Sequence, residues 1–312
     1  MDQETDRISG LPFDLTGASL PWDVTLIAST EGRGIFRICL RVHHGFLDGV
    51  GAIEAAAVLF PDEPGCGARL PPPQAPSLRA LTRVLKEAAL ALVYRSAWKP
   101  GVAAGSSRAG RRTHWRDVPL TALRCLADSH GVTVNDVSLA ALGVALADRT
   151  SHAVTAGVVI STRTPAERYH IGNRLGFHRL RLPDQPASFD ESLAAVTSQT
   201  GKVRAVRQRD AIRTMMELRQ APQTRVRPFR AMFDERKVPL VISSVTLPDG
   251  YSVFGAEICA ASAMLNVSEG FPAYVSFGRT AGNVRCTTVA DETRGSLLTV
   301  PDDWANVIRH SS

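Results

Sequence analysis

The sequence predicts an α/β (α+β) protein of two lobes, and three observations lead there. First, short apolar runs of strand character, such as Gly157–Ser161 and Leu240–Val245, are interleaved with stretches whose apolar residues recur every three or four positions. Second, 312 residues exceed the usual single domain and suit two units of about 150. Third, turn-rich and proline-rich breaks at 61–76 and 99–110 separate the patterned stretches.

In chain order, residues 1–20 are polar and turn-rich. A strand over 22–28 pairs across the Thr30–Gly34 turn with a strand over 35–43. Val50, Ile53, Ala57 and Phe60 form a helical stripe stopped by Pro61. Leu78–Trp98 reads as a helix with Leu81, Leu85, Ala88, Leu92 and Trp98 on its apolar side. Arg111–Leu120 reads as a strand leading into a helix that ends at Gly131, and a second helix opens at Thr133. There Thr133 and Asp136 make a capping-box-like pair, which leaves Asn135 unexplained. Strands follow from Gly157 and from Leu175. Residues 187–237 read as long amphipathic helix broken near Pro222 and Pro228, and strands over 240–245, 251–260, 273–278 and 283–290 precede a closing helix from Asp302.

With 44% hydrophobic and 21% charged residues the chain can bury a substantial core. Five scattered cysteines, with no Cys-x-x-Cys and no His at ligand spacing, predict a reduced, cytoplasmic protein without a metal. The acidic start is unlike a secretory signal, and the longest apolar-rich run, Val137–Ala147, is too short to span a bilayer. The net charge of +6 is concentrated in Lys202, Arg204, Arg207, Arg209, Arg213, Arg219, Arg225, Arg227, Arg230, Arg236 and Lys237. That run reads either as a solvated helix face or as a surface for anionic lipid, an acyl carrier protein or CoA phosphates. No aromatic interleaving or DNA-binding motif accompanies it, which excludes nucleic acid.

The chemistry is concentrated in Arg41-Val-His43-His44-Gly-Phe-Leu-Asp48-Gly49. Alternation along the preceding strand puts His44 on the side of Phe36, Ile38, Leu40 and Val42, and His43 on the other. A neutral imidazole on an apolar face can act as a general base. Asp48 and Gly49 suit a sharp turn into a helix, with Asp48 capping it or paired with an arginine.

This motif resembles the active site of the wax ester synthase/diacylglycerol acyltransferase family, within the superfamily of chloramphenicol acetyltransferase-like acyltransferases and condensation domains. Leu20-Pro21-Trp22, Thr133-Val-Asn135-Asp136-Val, the apolar strand ending in Arg163, and Gly172-Asn173-Arg174 resemble further family segments, the first with Pro and Leu transposed. At Ser244-Val-Thr-Leu the chain departs from the family, which carries Asn at that serine and Pro-Gly after the valine.

The resemblance implies a two-lobe fold of mixed sheets flanked by helices. It divides the chain into a shortened first lobe (1–98), an inter-lobe linker (99–110) and a second lobe (111–312). It also implies His44 as the catalytic base, with Asn135 and Asp136 near the channel. Either Arg163 or Arg174 is the expected partner of Asp48, because a bidentate arginine holds a turn more firmly than lysine. The Gly49 amide is the expected oxyanion donor. The expected activity is transfer of an acyl group from a CoA or carrier-protein thioester to an alcohol, without a resident cofactor. The alternatives are an amine acceptor, as in condensation domains, and a non-catalytic partner of a split enzyme. Because 42 residues precede His43, fewer than the family's first lobe supplies, a homodimer or complementing subunit is the expected assembly. The basic segment adds an expected peripheral contact with anionic membrane.

Overall fold

The computed structural model describes residues 2–13, 20–29, 34–60, 70–96, 111–147, 149–150, 152–183, 188–218, 237–247, 250–265, 273–291 and 295–311. The 99–110 linker, most of the 61–76 segment, Trp98 and the basic residues at 219–236 fall outside them.

The chain opens with helix α1 (Asp2–Ser9), where a turn-rich segment is expected. Strands β1 (Trp22–Ala28) and β2 (Phe36–Val42) pair antiparallel, Trp22 opposite Val42 and Ala28 opposite Phe36. Helices α2 (Gly49–Leu59) and α3 (Leu78–Val93) follow. The second half contributes β3 (Arg111–Pro119), α4 (Leu120–His130), α5 (Val134–Ala147), β4 (Thr155–Ser161), β5 (Leu175–Arg181), α6 (Phe189–Ala205) and α7 (Gln208–Leu218). Then come β6 (Leu240–Thr246), the two-residue strands β7 (Ser252–Val253) and β8 (Ala256–Glu257), β9 (Ala273–Arg279) and β10 (Asn283–Asp291). A single turn, α8 (Gly295–Leu298), leads to α9 (Val300–Ser311).

Six strands make one mixed sheet in the order β3-β10-β9-β6-β4-β5. Its central strands β9, β6 and β4 run parallel, while β3, β10 and β5 attach antiparallel. The other two sheets are two-stranded and antiparallel. Helix α5 explains where the core sits. Its sequence is apolar on nearly every side, so it is stable only when surrounded. Val137, Leu139 and Leu142 are fully buried among Leu123 of α4, Val196 of α6, Ile242 of β6 and Trp304 of α9. The Trp304 indole donates to the Ser138 carbonyl at 3.2 Å, which satisfies the one polar atom that this packing buries on the ring. Gly131, in the left-handed region at φ 63°, ends α4 and turns the chain into α5.

The opposite face of the sheet carries a smaller apolar cluster of Val241, Tyr274 and Val289, against which Val159, Phe177, Met264 and Leu265 pack. Here the expected strand over 251–260 is a tight hairpin instead, turned by Phe254 (φ 54°) and Gly255 (φ 73°). Residues 258–265 then cross the sheet so closely that a Cβ on Gly278 would lie 1.9 Å from the Ala261 carbonyl oxygen. Burial and a Ser243 hydroxyl partner act on the Tyr274 phenol, and burial dominates, pushing it up to about 12.

Three other expectations need correction. Helix α3 stops at Val93 because Tyr94 leaves helical geometry, bonds Thr155 through its hydroxyl at 2.8 Å and stacks under Arg179. Leu85, expected on its apolar stripe, is exposed, and Ala80 is buried instead. The long helix of 187–237 breaks at Val206–Arg207, with Arg207 at φ 52°, well before the prolines. Among the described residues no single helix is long and apolar enough to cross a membrane.

Candidate active site

The predicted motif lies where β2 ends and α2 begins, docked on the end of the six-stranded sheet. Strand β2 stops at Val42, so the alternation that was to carry His44 onto a buried face does not reach it. Residues 44–46 form a turn and His44 is exposed. His43 is half-buried: its amide donates to the Pro21 carbonyl at 2.7 Å, its ring meets Phe13 edge-on, and its Nδ1 accepts from the Gly45 amide at 3.2 Å. Even the apolar face of β2 is only half-buried, because α1 covers the other face. There Arg37 donates to the Thr5 hydroxyl, and Arg41 bridges Asp23 and the carbonyls of Ile8 and Leu11.

The turn is held by an ion pair without solvent contact. Asp48 caps α2 by accepting the Gly51 amide on Oδ1 at 2.8 Å, and its Oδ2 accepts the Arg174 amide at 2.8 Å. Arg163 Nε reaches both carboxylate oxygens at 2.9 Å. The rest of that guanidinium is spent on carbonyls: Nη1 on Glu167 at 2.9 Å and His170 at 2.8 Å, Nη2 on Gly172 at 2.8 Å. Of the two expected arginines, Arg163 supplies the side chain and Arg174 only its backbone N–H. The Arg174 side chain turns to Glu167 at 3.3 Å. Full pairing is what allows these charges to be buried at all. Gly51 has to be glycine, since a Cβ there would lie 2.8 Å from Arg163 Nη2.

A second clasp acts on the backbone. Gly172 (φ 100°) donates to the Phe46 carbonyl at 2.6 Å and makes a parallel bridge with Leu47, while Asn173 Nδ2 donates to the His44 carbonyl at 2.6 Å. Nothing in the Gly172-Asn173-Arg174 sequence singles out Asn173 for this role beyond its place after a glycine suited to a turn.

Behind the clasp, α7 braces the loop that carries Arg163. Arg209 donates to the carbonyls of Ser161 and Arg163, and Arg213 donates to the Thr162 carbonyl and the Glu167 carboxylate. Burial alone would raise the Glu167 carboxyl, but the Arg213 bonds and charge and the Thr164 groups outweigh it and hold it at about 2. The basic residues of this stretch are therefore internal braces in part. Arg204, Arg207, Arg209 and Arg213 each pair with an acidic side chain, and Arg209 and Arg213 are largely covered while Arg204 and Arg207 keep much of their surface in solvent.

Helix α5 brings Asn135 and Asp136 to the same end of the sheet, with different surroundings. Asp136 is fully buried. It accepts the Thr133 amide and hydroxyl on Oδ2 and the Thr200 hydroxyl and Arg204 on Oδ1, so its oxygens are taken. Burial would raise its carboxyl, but these donors, Arg204 first, hold it below the ordinary aspartate range. Asn135 is half-buried, and its Oδ1 accepts the Ser244 hydroxyl at 2.6 Å. Ser244 stands at the end of β6, beside Val245, whose Cγ1 is 3.9 Å from where a Gly49 Cβ would sit. The carboxyl end of β6 is thus flanked by Asn135 of α5 on the face of Ser244 and by Gly49 of α2 on the face of Val245, the end at which such sheets usually carry a site.

Several solved structures match the chain along almost its whole length, among them these three. The epimerization domain from the third module of tyrocidine synthetase B gives a TM-score of 0.58 at 14% identity, covering 99% of this chain and 75% of that one. The wax ester synthase/diacylglycerol acyltransferase from Marinobacter aquaeolei VT8 gives 0.54 at 17%, covering 98% and 74%. The first condensation domain of the CDA synthetase gives 0.55 at 16%, covering 98% and 69%. This is the condensation-domain fold. No protein-family model and no curated protein matches the chain.

Proposed function

We propose that this chain is an O-acyltransferase, similar to the wax ester synthases, that moves an acyl group from a CoA or carrier-protein thioester to an alcohol. The observation that carries this reading is the His44 turn, exposed to solvent and locked on both sides by Asp48–Arg163 and Asn173. Such locking is what a base needs to keep its orientation while its ring remains reachable.

In the proposed reaction the His44 imidazole takes the hydroxyl proton as the acceptor oxygen attacks the thioester carbon. The tetrahedral oxyanion is held by preorganised donors, the Gly49 amide in the first turn of α2 among them. The C–S bond then breaks, and the thiolate recovers the proton from the imidazolium. No bond to the protein forms and no cofactor is required.

Thiol release from decanoyl-CoA in the presence of hexadecanol tests this. His44→Ala should lower the rate about 100- to 10,000-fold, whereas His43→Ala, whose ring packs on Phe13, should mainly lower stability. A His44→Ala protein at full rate, beside an inactive but folded His43→Ala, refutes the assignment. With an amine in place of hexadecanol, the same assay separates ester from amide formation.

One observation favours action together with a second copy or a complementing polypeptide. Trp22, Val24 and Leu26 share a face of β1, and Leu26 is 56% exposed. A two-stranded sheet with an apolar face open to water is marginal alone. Light scattering of the active protein decides the point, because a monomer with full activity removes this reading.

A further inference from the structure

We infer that helix α3 is a docking surface for an anionic lipid bilayer: its solvent side presents an aliphatic stripe with a row of cations beside it. The inference goes beyond the acyl-transfer reading and does not depend on it.

The protein itself uses one side of α3. Ala80 is buried, Arg83 Nε donates to the side-chain oxygen of Gln208 in α7 at 2.8 Å, and Glu87 pairs with Arg179 of β5 at 3.3 Å. Spaced by three and four residues, these positions mark one face of a helix, the face seated on α7 and β5. The opposite side carries Leu78, Leu85 and Val93, which are 81%, 56% and 76% exposed. Steps of seven and eight residues, about two turns each, keep the three on that side. Thr82 and Ala89 lie between them, exposed and uncharged. A surface helix ordinarily turns polar residues to water. In α3 the water side is a row of large aliphatic side chains, left open by the described residues.

Charge decides what covers the stripe. Arg79 and Lys86 run along its edge, both exposed and without an acidic partner among the described residues. Glu87 is the one acidic residue of the helix, and it is turned inward to Arg179. The outer side of the helix is therefore cationic only. A second copy is a poor occupant, because two α3 helices related by a twofold axis at the helix midpoint would set Leu85 on Leu85 and Lys86 beside Lys86, bringing like charges together in a dry interface. An anionic bilayer suits both features. The aliphatic side chains enter the boundary of the acyl region while the arginine and lysine reach the headgroups, their stems lying along the apolar surface. This element is distinct from the basic stretch after 202, in which Arg209 and Arg213 serve the loop of Arg163.

Co-sedimentation of the full chain with mixed phosphatidylcholine–phosphatidylserine vesicles tests this. The parent should bind them more tightly than pure phosphatidylcholine vesicles and should be released as salt is raised. Arg79→Gln with Lys86→Gln should weaken binding about 25-fold, about fivefold for each charge. Leu85→Ser with Val93→Ser should weaken it at least about tenfold at every salt concentration. Arg309→Gln, which removes an exposed cation from α9 at the β3 edge of the sheet, should leave it unchanged. These substitutions fall on solvent-exposed side chains, so the fold should persist, and unchanged far-ultraviolet circular dichroism checks that. Parental binding in both α3 variants overturns the inference, as does an equal loss in Arg309→Gln, the mark of a general charge effect. A parent that binds neither vesicle overturns it too. So does a dimer in light scattering that Leu85→Ser with Val93→Ser converts to monomer, since a second copy would then occupy the stripe.

Discussion

Asp48→Asn is nearly isosteric, yet the structure makes it a severe change. The carboxylate accepts from three directions: Gly51 N–H on Oδ1, Arg174 N–H on Oδ2, and Arg163 Nε on both. An asparagine has only one oxygen. Whichever way its amide is turned, the NH2 faces a backbone N–H, either that of Gly51 or that of Arg174. Arg163 meanwhile keeps its charge with 0% side-chain exposure and no counterion. Removing one partner of a buried pair typically costs about 3–5 kcal/mol, and the misplaced NH2 acts in the same direction. Because the pair joins the α2 turn to the loop after β4, the loss should reach both halves of the chain. Urea unfolding followed by circular dichroism should therefore show a drop of about 3–5 kcal/mol. In the double variant with Arg163→Met the two losses should be strongly non-additive, since the second change removes the stranded cation. A single variant within about 1 kcal/mol of the parent, or strictly additive losses, would show that the pair does not anchor the turn.

Two further expectations concern the frame around the site. Gly278→Ala forces a Cβ to 1.9 Å from the Ala261 carbonyl oxygen, so residues 258–265 have to lift off β9. A loss of about 3 kcal/mol or more in thermal unfolding is expected, against almost none for Gly282→Ala, where nothing lies within 4 Å. An unperturbed Gly278→Ala would refute that close approach. Stability should also depend on pH through His178 of β5. Burial, with the charges of Arg83 and Arg204, lowers its imidazole to about 4 from 6.5, and neither ring nitrogen has a hydrogen-bond partner among the described residues. The folded state keeps it neutral while the unfolded chain takes up a proton below pH 6.5. Stability is thus full above about pH 6.5 and falls by roughly 3 kcal/mol toward pH 4. His178→Leu should remove that part of the slope without loss at pH 8, and an unchanged slope would exclude His178 as its source.

Periodicity in the sequence is strong enough to identify the β1–β2 pair, α5 with its Thr133–Asp136 cap, β4, β6, β9 and β10. The sequence also placed the His43-His44-x-x-x-Asp48-Gly49 motif at a strand-to-helix turn, because local rules of alternation, capping and turn chemistry act over a few residues. It reduced the partner of Asp48 to two arginines and could go no further. The choice of Arg163 depends on carbonyls at 167, 170 and 172 converging on one guanidinium, and no local rule expresses that. The remaining features depend on long-range packing for similar reasons. Such packing ended β2 at Val42 and so left His44 exposed, it placed α1 over the face of the hairpin that carries Arg37 and Arg41, and it turned α7 into a brace for the Arg163 loop. Packing also joined Ser244 to Asn135 across 109 residues. Each of these depends on which groups meet when distant segments pack, and a side chain's burial and partners belong to that packing and not to its neighbours in the chain.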